Sequence, residues 1–89
     1  MEVDRAWEVI ENPHMTEQAM DMIDQENKLV LMVDIEADKN QVKDAVETLF
    51  DVTVETVNTN ITPSAKKKAF VGLSPSDDAM DVATEMGMM

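Results

Sequence analysis

Three consecutive lysines, Lys66, Lys67 and Lys68, are the residues best placed by type and spacing to do chemistry. They lie in the window 56–76, TVNTNITPSAKKKAFVGLSPS, which contains no acidic residue. The whole chain holds 19 acids against 7 bases, a formal charge of −12, so a +3 window leaves −15 on the other 68 residues. A strongly acidic chain argues against nucleic acid as a partner, but a local cationic patch can still bind phosphate. Asn58, Thr59, Asn60, Thr62 and Ser64 stand just before the lysines. Their short amides and hydroxyls can reach a sugar–phosphate backbone. On a strand, alternate side chains point to opposite faces, so Lys66 and Lys68 should point one way and Lys67 the other. The plainer role of lysines at a sheet edge is to block edge-to-edge pairing.

Other chemistries lack their residues. His14 is the only histidine, and no partnered Ser-His-Asp arrangement surrounds it in sequence. Carboxylates are abundant, but without EF-hand spacing or that loop's glycine. Only Gly72 and Gly87 are available, so no Gly-rich phosphate loop can form. The absence of cysteine removes disulfides, thiolate metal sites and cysteine nucleophiles, and suits a reducing compartment. No catalytic residue, metal site, cofactor or small-molecule substrate is expected. Nine methionines could line a peptide groove. Met20, Met32, Met80 and Met86, however, lie where core filling is the simpler role. Trp7, Phe50 and Phe70 are too few for a stacking platform of displayed aromatics. RNA would therefore be held through phosphate, 2′-OH and shape.

The elements that must position these residues are legible in outline. Eighty-nine residues make one domain, 1–89, with a small core. The hydrophobic fraction of 44% and charged fraction of 29% are those of a globular domain. The longest apolar run, Leu29 to Val33, is far short of a membrane span. The first residues lack the basic-then-apolar pattern of a signal peptide, so an intracellular domain without membrane insertion is expected. Ala6 to Ile10 reads as a short strand or turn. Thr16 is a predicted N-cap for a helix over Glu17 to Gln25. Lys28 to Ile35 reads as a strand with both faces covered. Asp38 and Gln41 form a predicted capping box. Val42, Ala45, Val46 and Leu49 then make one apolar stripe, with Lys39 and Lys43 on the wet face. Val52 to Thr59 and Lys67 to Leu73 are predicted strands joined as an antiparallel hairpin. Ser74 should cap a last helix with Pro75 at its first position and Gly87 as its stop. The pattern is β-α-β-α-β-β-α, an α+β fold with a small sheet and packed helices.

Four segments in order then resemble one family. VIENPHMTEQA (Val9 to Ala19), ADKNQVKDAVETLFDVTVETVNT (Ala37 to Thr59) and KKAFVGLS (Lys67 to Ser74) are similar to the universal large-subunit ribosomal protein numbered L-twenty-three, and the chain end, Ala83 to Gly87, fits it too. The short connection Asn60 to Ala65 is similar to the archaeal and eukaryotic branch. The resemblance implies an antiparallel four-stranded sheet in the order 1-2-4-3 with helices packed on it. It also implies a structural protein that binds large-subunit rRNA near the peptide tunnel exit. Its implied partners are the neighbouring ribosomal protein L-twenty-nine, the signal recognition particle and the translocon. Its implied place is the cytoplasmic ribosome. Residue by residue, it carries RNA contacts onto Pro13, His14, Thr16 and Glu17 in the first loop, Lys39, Asn58, Thr59, Lys67 and Lys68. Lys43, Asn60, Ser64 and Lys66 join this set as neighbouring polar and basic groups.

Three positions depart from the family pattern. Gln18 stands where a lysine is common, Asp38 where a small neutral polar residue is usual, and Gly72 where a basic or hydroxyl residue is usual. Each makes the chain more acidic. A high-salt cytoplasm would reconcile this, because salt screens lysine–phosphate attraction and excess acid keeps the chain soluble. Acidic helix residues such as Asp21, Asp24 and Glu26 would then be solvated surface, or a face that docks basic factors. The alternative is a free-standing acidic α+β protein-interaction module, which would not sediment with ribosomes.

Overall fold

In the computed structural model, which describes residues 1–14 and 16–86, the chain forms four helices and four strands. The elements are α1 (Val3–Val9), β1 (Ile10–Pro13), α2 (Glu17–Glu26), β2 (Lys28–Val33), α3 (Lys39–Phe50), β3 (Val54–Ile61), β4 (Lys67–Leu73) and α4 (Ala79–Glu85). The strands form one sheet in the order β1-β2-β4-β3, and every neighbouring pair is antiparallel. This is the α+β fold and strand order that the family resemblance implies.

One face of the sheet makes the core. Leu29, Leu31 and Val33 of β2 and Ala69, Val71 and Leu73 of β4 alternate onto it and are buried. Val42, Ala45 and Val46 of α3, Ala6 and Val9 of α1, Ile23 of α2 and Val82 of α4 belong to the same cluster. The capping box forms as the sequence suggests. Gln41 N–H donates to Asp38 Oδ1 at 2.8 Å, and Asp38 N–H donates back to Gln41 Oε1 at 3.1 Å. Thr16 Oγ1 accepts from Ala19 N–H at 3.1 Å and starts α2.

Four boundaries differ from the sequence reading. Residues Ala6 to Val9 are helical rather than a strand, and only Ile10 of that segment belongs to β1: Ala6 and Val9 sit about one turn apart and bury together on α1. Arg5 and Glu8 pair outside them at 3.0 Å, and Trp7 meets Phe50 of α3 edge-on at 6.4 Å. β2 stops at Val33, not Ile35, because Asp34 makes a turn. Its carbonyl accepts from Ala37 N–H at 2.9 Å and its carboxylate from Glu36 N–H at 3.1 Å. Ile35 is left exposed. β3 starts two residues later than expected and runs on through Asn60 and Ile61, which pair with Lys68 and Lys67. The ladder overrides the turn preference of Asn60. Met20 is exposed rather than core, while Met80 and Met86 do pack on the core. The expected stop at Gly87 lies outside the described residues.

The fourth difference has a single cause. Ser74 and Pro75 do not begin the last helix; they form a turn closed by Asp77 N–H to Ser74 O at 2.9 Å. Asp78 caps α4 instead, accepting from Met80 N–H at 2.9 Å. Asn27 holds this turn in place. Its Nδ2 donates to the carbonyls of Ser74 (3.2 Å) and Asp77 (2.9 Å), and its Oδ1 accepts from Ala79 N–H at 2.7 Å. Asn27 itself ends α2 at φ 55°, ψ 39°, a left-handed conformation that asparagine tolerates. Asn27→Ala is expected to cost about 2–4 kcal/mol, from unpaired part-buried backbone groups plus left-handed strain. Asn27→Gly removes only the side-chain bonds and should cost about 1 kcal/mol less. Urea unfolding of both variants at one fixed salt concentration measures the difference.

Candidate nucleic-acid interface

The sheet's second face is built by register. Cross-strand partners share a face, so Lys68 lies between Met32 of β2 and Asn60 of β3. Phe70 lies between Val30 and Asn58, and Gly72 between Lys28 and Thr56. On β1, Asn12 pairs with Met32 and extends the first row. These three rows across β2, β4 and β3 contain two lysines, two asparagines and a threonine, and no carboxylate. On a chain of charge −12 that is a distinct surface.

Gly72 also fits this face closely. A Cβ there would run into the Thr56 hydroxyl, so any larger residue would require the Thr56 side chain to move.

The lysine triplet separates as strand alternation requires. Lys67 turns to the helical side, where its Nζ donates to the Ala37 carbonyl at 2.7 Å and ties β4 to the loop before α3. Lys68 faces the open side, half-buried. Lys66 is exposed in the turn that precedes β4. That turn is ordered from within. Ala65 N–H donates to Thr62 O at 2.9 Å, Thr62 N–H to Lys66 O at 2.8 Å, and the Thr62 and Ser64 hydroxyls pair at 3.0 Å. Ala65 takes φ 60°, which closes the hairpin.

The other candidates divide between the two sides. Asn58 and Asn60 are exposed on the open face, and Ser64 is exposed in the turn. Thr59 pairs with Ala69 and faces the helical side. His14 follows Pro13, the end of β1, and its N–H donates to the Val30 carbonyl at 3.0 Å. His14, Thr16 and Glu17 border the open face together with Lys68 and Phe70. Lys39 is the first residue of α3, beside the loop that Lys67 grips. Lys43 is exposed one turn further along α3, whose buried side covers the opposite face of the sheet.

Trp7 and Phe50 sit together on the helical layer, and Phe70 is the one aromatic on the open face. A shared stacking platform is therefore not built. Sequence reasoning named Gln18 and Phe70 but placed neither of them, nor Val30, in a site; all three share a hollow with His14 and Lys68. The i, i+2 spacing of Lys68 and Phe70 on β4 was the available signal. Among the described residues, no group of three His, Cys, Asp or Glu side chains is placed to hold a metal ion.

Comparison with known proteins fits this geometry. The family model described as "Ribosomal protein L23" matches residues 8–80. Large ribosomal subunit protein uL23 of Halobacterium salinarum is 54% identical over 80 residues, covering 90% of this chain and 95% of its own. The uL23 of Haloarcula marismortui is 52% identical over 83 residues, covering 93% and 98%. That of Methanococcus aeolicus is 47% identical over 83 residues, covering 93% and 96%. With a continuous match over strands, helices and hairpin alike, the chain belongs to the ribosomal protein L23 family.

Proposed function

We propose that this chain is a structural, non-enzymatic protein of the large ribosomal subunit, held on large-subunit rRNA by its hairpin turn and open sheet face. The observation that carries the reading is the carboxylate-free band of Lys68, Asn58, Asn60 and Thr56 on a chain of charge −12. Lys66 and Ser64 extend the band into the exposed turn, and His14 and Thr16 border it. Lys39 lies at the same end of the molecule as the hairpin, within reach of an RNA that wraps the turn. Lysines neutralise phosphates, while amides and hydroxyls fix register on the backbone.

The helical side has the opposite character. Asp51, Asp78 and Asp81 are exposed at the ends of α3 and α4, whereas Asp21 of α2 rims the open face and Glu26 pairs with Lys28 of that face at 3.7 Å. This side suits protein contacts. We assign it to the neighbouring ribosomal protein L-twenty-nine and to the signal recognition particle and translocon that meet the nascent chain at the tunnel exit. The relatives' names as large-subunit proteins support the ribosomal setting.

The test is binding of the purified chain to large-subunit rRNA, with tRNA as competitor, across a salt series. Wild type should bind rRNA saturably. Lys66→Ala with Lys68→Ala should flatten the log-affinity against log-salt slope by roughly two, since each lost phosphate contact removes about 0.9. Lys67→Ala should leave that slope unchanged and instead lower stability by about 1 kcal/mol, the value of a half-exposed charged hydrogen bond. No rRNA binding at any salt, with no sedimentation on ribosomes, would favour a free-standing acidic interaction module.

A further inference from the structure

The open face has a feature that phosphate binding does not use. Between the first turns of α2 and the sheet lies a hollow of about 630 Å³, within the size range of small-ligand sites. Its floor is apolar: Val30 of β2 and Phe70 of β4, paired directly in register. Met22 of α2 adds an apolar wall. Its rim is polar and mixed in charge, with Lys68 on the sheet side and Glu17, Gln18 and Asp21 on the helix side.

We propose that this hollow takes one unstacked nucleobase of the bound RNA, and that this base has an exocyclic amino group. The inference rests on the rRNA reading above and deepens it. An aromatic ring beside an aliphatic side chain offers a stacking surface to any base. The carboxylates of Glu17 and Asp21 repel phosphate, so the backbone must stay outside, near Lys68. Carboxylates accept N–H donors, and cytosine N4, adenine N6 and the guanine N1/N2 edge supply them. Uracil offers two carbonyl acceptors and a single N3–H. The Gln18 amide can both donate and accept, and so completes the edge. Sequence-specific RNA recognition targets such splayed-out bases in loops and bulges. A stacked base is also insensitive to the salt that weakens lysine–phosphate attraction. One aromatic is too few for a platform but sufficient for a single base.

The test is chemical probing of large-subunit rRNA bound to the full chain. Hydroxyl radicals read the backbone. Dimethyl sulfate reads unpaired adenine and cytosine, kethoxal reads guanine, and a carbodiimide reads uracil. Wild type should protect a backbone stretch and, within or beside it, one unpaired adenine, cytosine or guanine. Phe70→Leu keeps apolar volume but removes the ring. It should weaken binding about tenfold, within the range for one lost stack, and expose that base at saturating protein. Gln18 is exposed, so Gln18→Ala leaves the fold intact, and it should reduce the same protection. A backbone footprint with no protected base, with only a uracil protected, or with protection unchanged in both variants would overturn the pocket and leave the rRNA reading standing. No backbone footprint at all would overturn both.

Discussion

Leu29, Leu31 and Val33 on β2 and Ala69, Val71 and Leu73 on β4 all point to one face of the sheet, and burying that face is the constraint on which the molecule depends. A chain of 89 residues has one core, and the helices form the layer that closes it. α1, α3 and α4 each direct their small buried residues, Ala6, Ala45, Ala79 and Ala83, toward that layer. Once the helices are committed there, the other face is left with Lys68, Phe70, Asn58 and Asn60. Strand alternation divides the sheet: apolar side chains under the helices on one face, and Lys68, Phe70 and the asparagine amides on the other.

Charge is what makes this division matter. The formal charge of −12 would keep an undifferentiated surface away from RNA. No carboxylate shares the three cross-strand rows of the open face. Two of the relatives at about half identity come from the halophiles Halobacterium salinarum and Haloarcula marismortui. At 1 M salt the Debye length is about 3 Å, so charges on any surface interact only at direct contact. Of the lysine triplet, Lys67 holds the Ala37 carbonyl rather than facing the open side.

Elements with strong local signals were legible in the sequence. The Asp38–Gln41 capping box, the stripe of α3, the Thr16 cap and the hydrophobic run of β2 all follow from neighbours within four residues. The strand order was not readable from periodicity and came from the family resemblance. The failures share a physical pattern. The Ser74 turn is held by Asn27, which lies more than 45 residues away, so local helix signals at Ser74-Pro75 lost to a tertiary clamp. α1 has only seven residues, too few for a periodicity to declare itself against the β-branched residues at its end. The separation of Lys67 from Lys68 was legible because alternation is a local rule. The hollow beneath α2 was not, because it joins residues from the β1–α2 loop, α2, β2 and β4.

The central claim is that RNA meets the open sheet face and hairpin turn, not the helical layer. Competitive acetylation of lysines, read by mass spectrometry with and without saturating large-subunit rRNA, tests it most directly. Lys66 and Lys68 should lose reactivity in the complex, while Lys43, counted among the RNA contacts by sequence but lying on the exposed side of α3, should react as it does in the free protein. Protection of Lys43 with Lys66 and Lys68 unchanged would contradict the account and move the RNA to the helices.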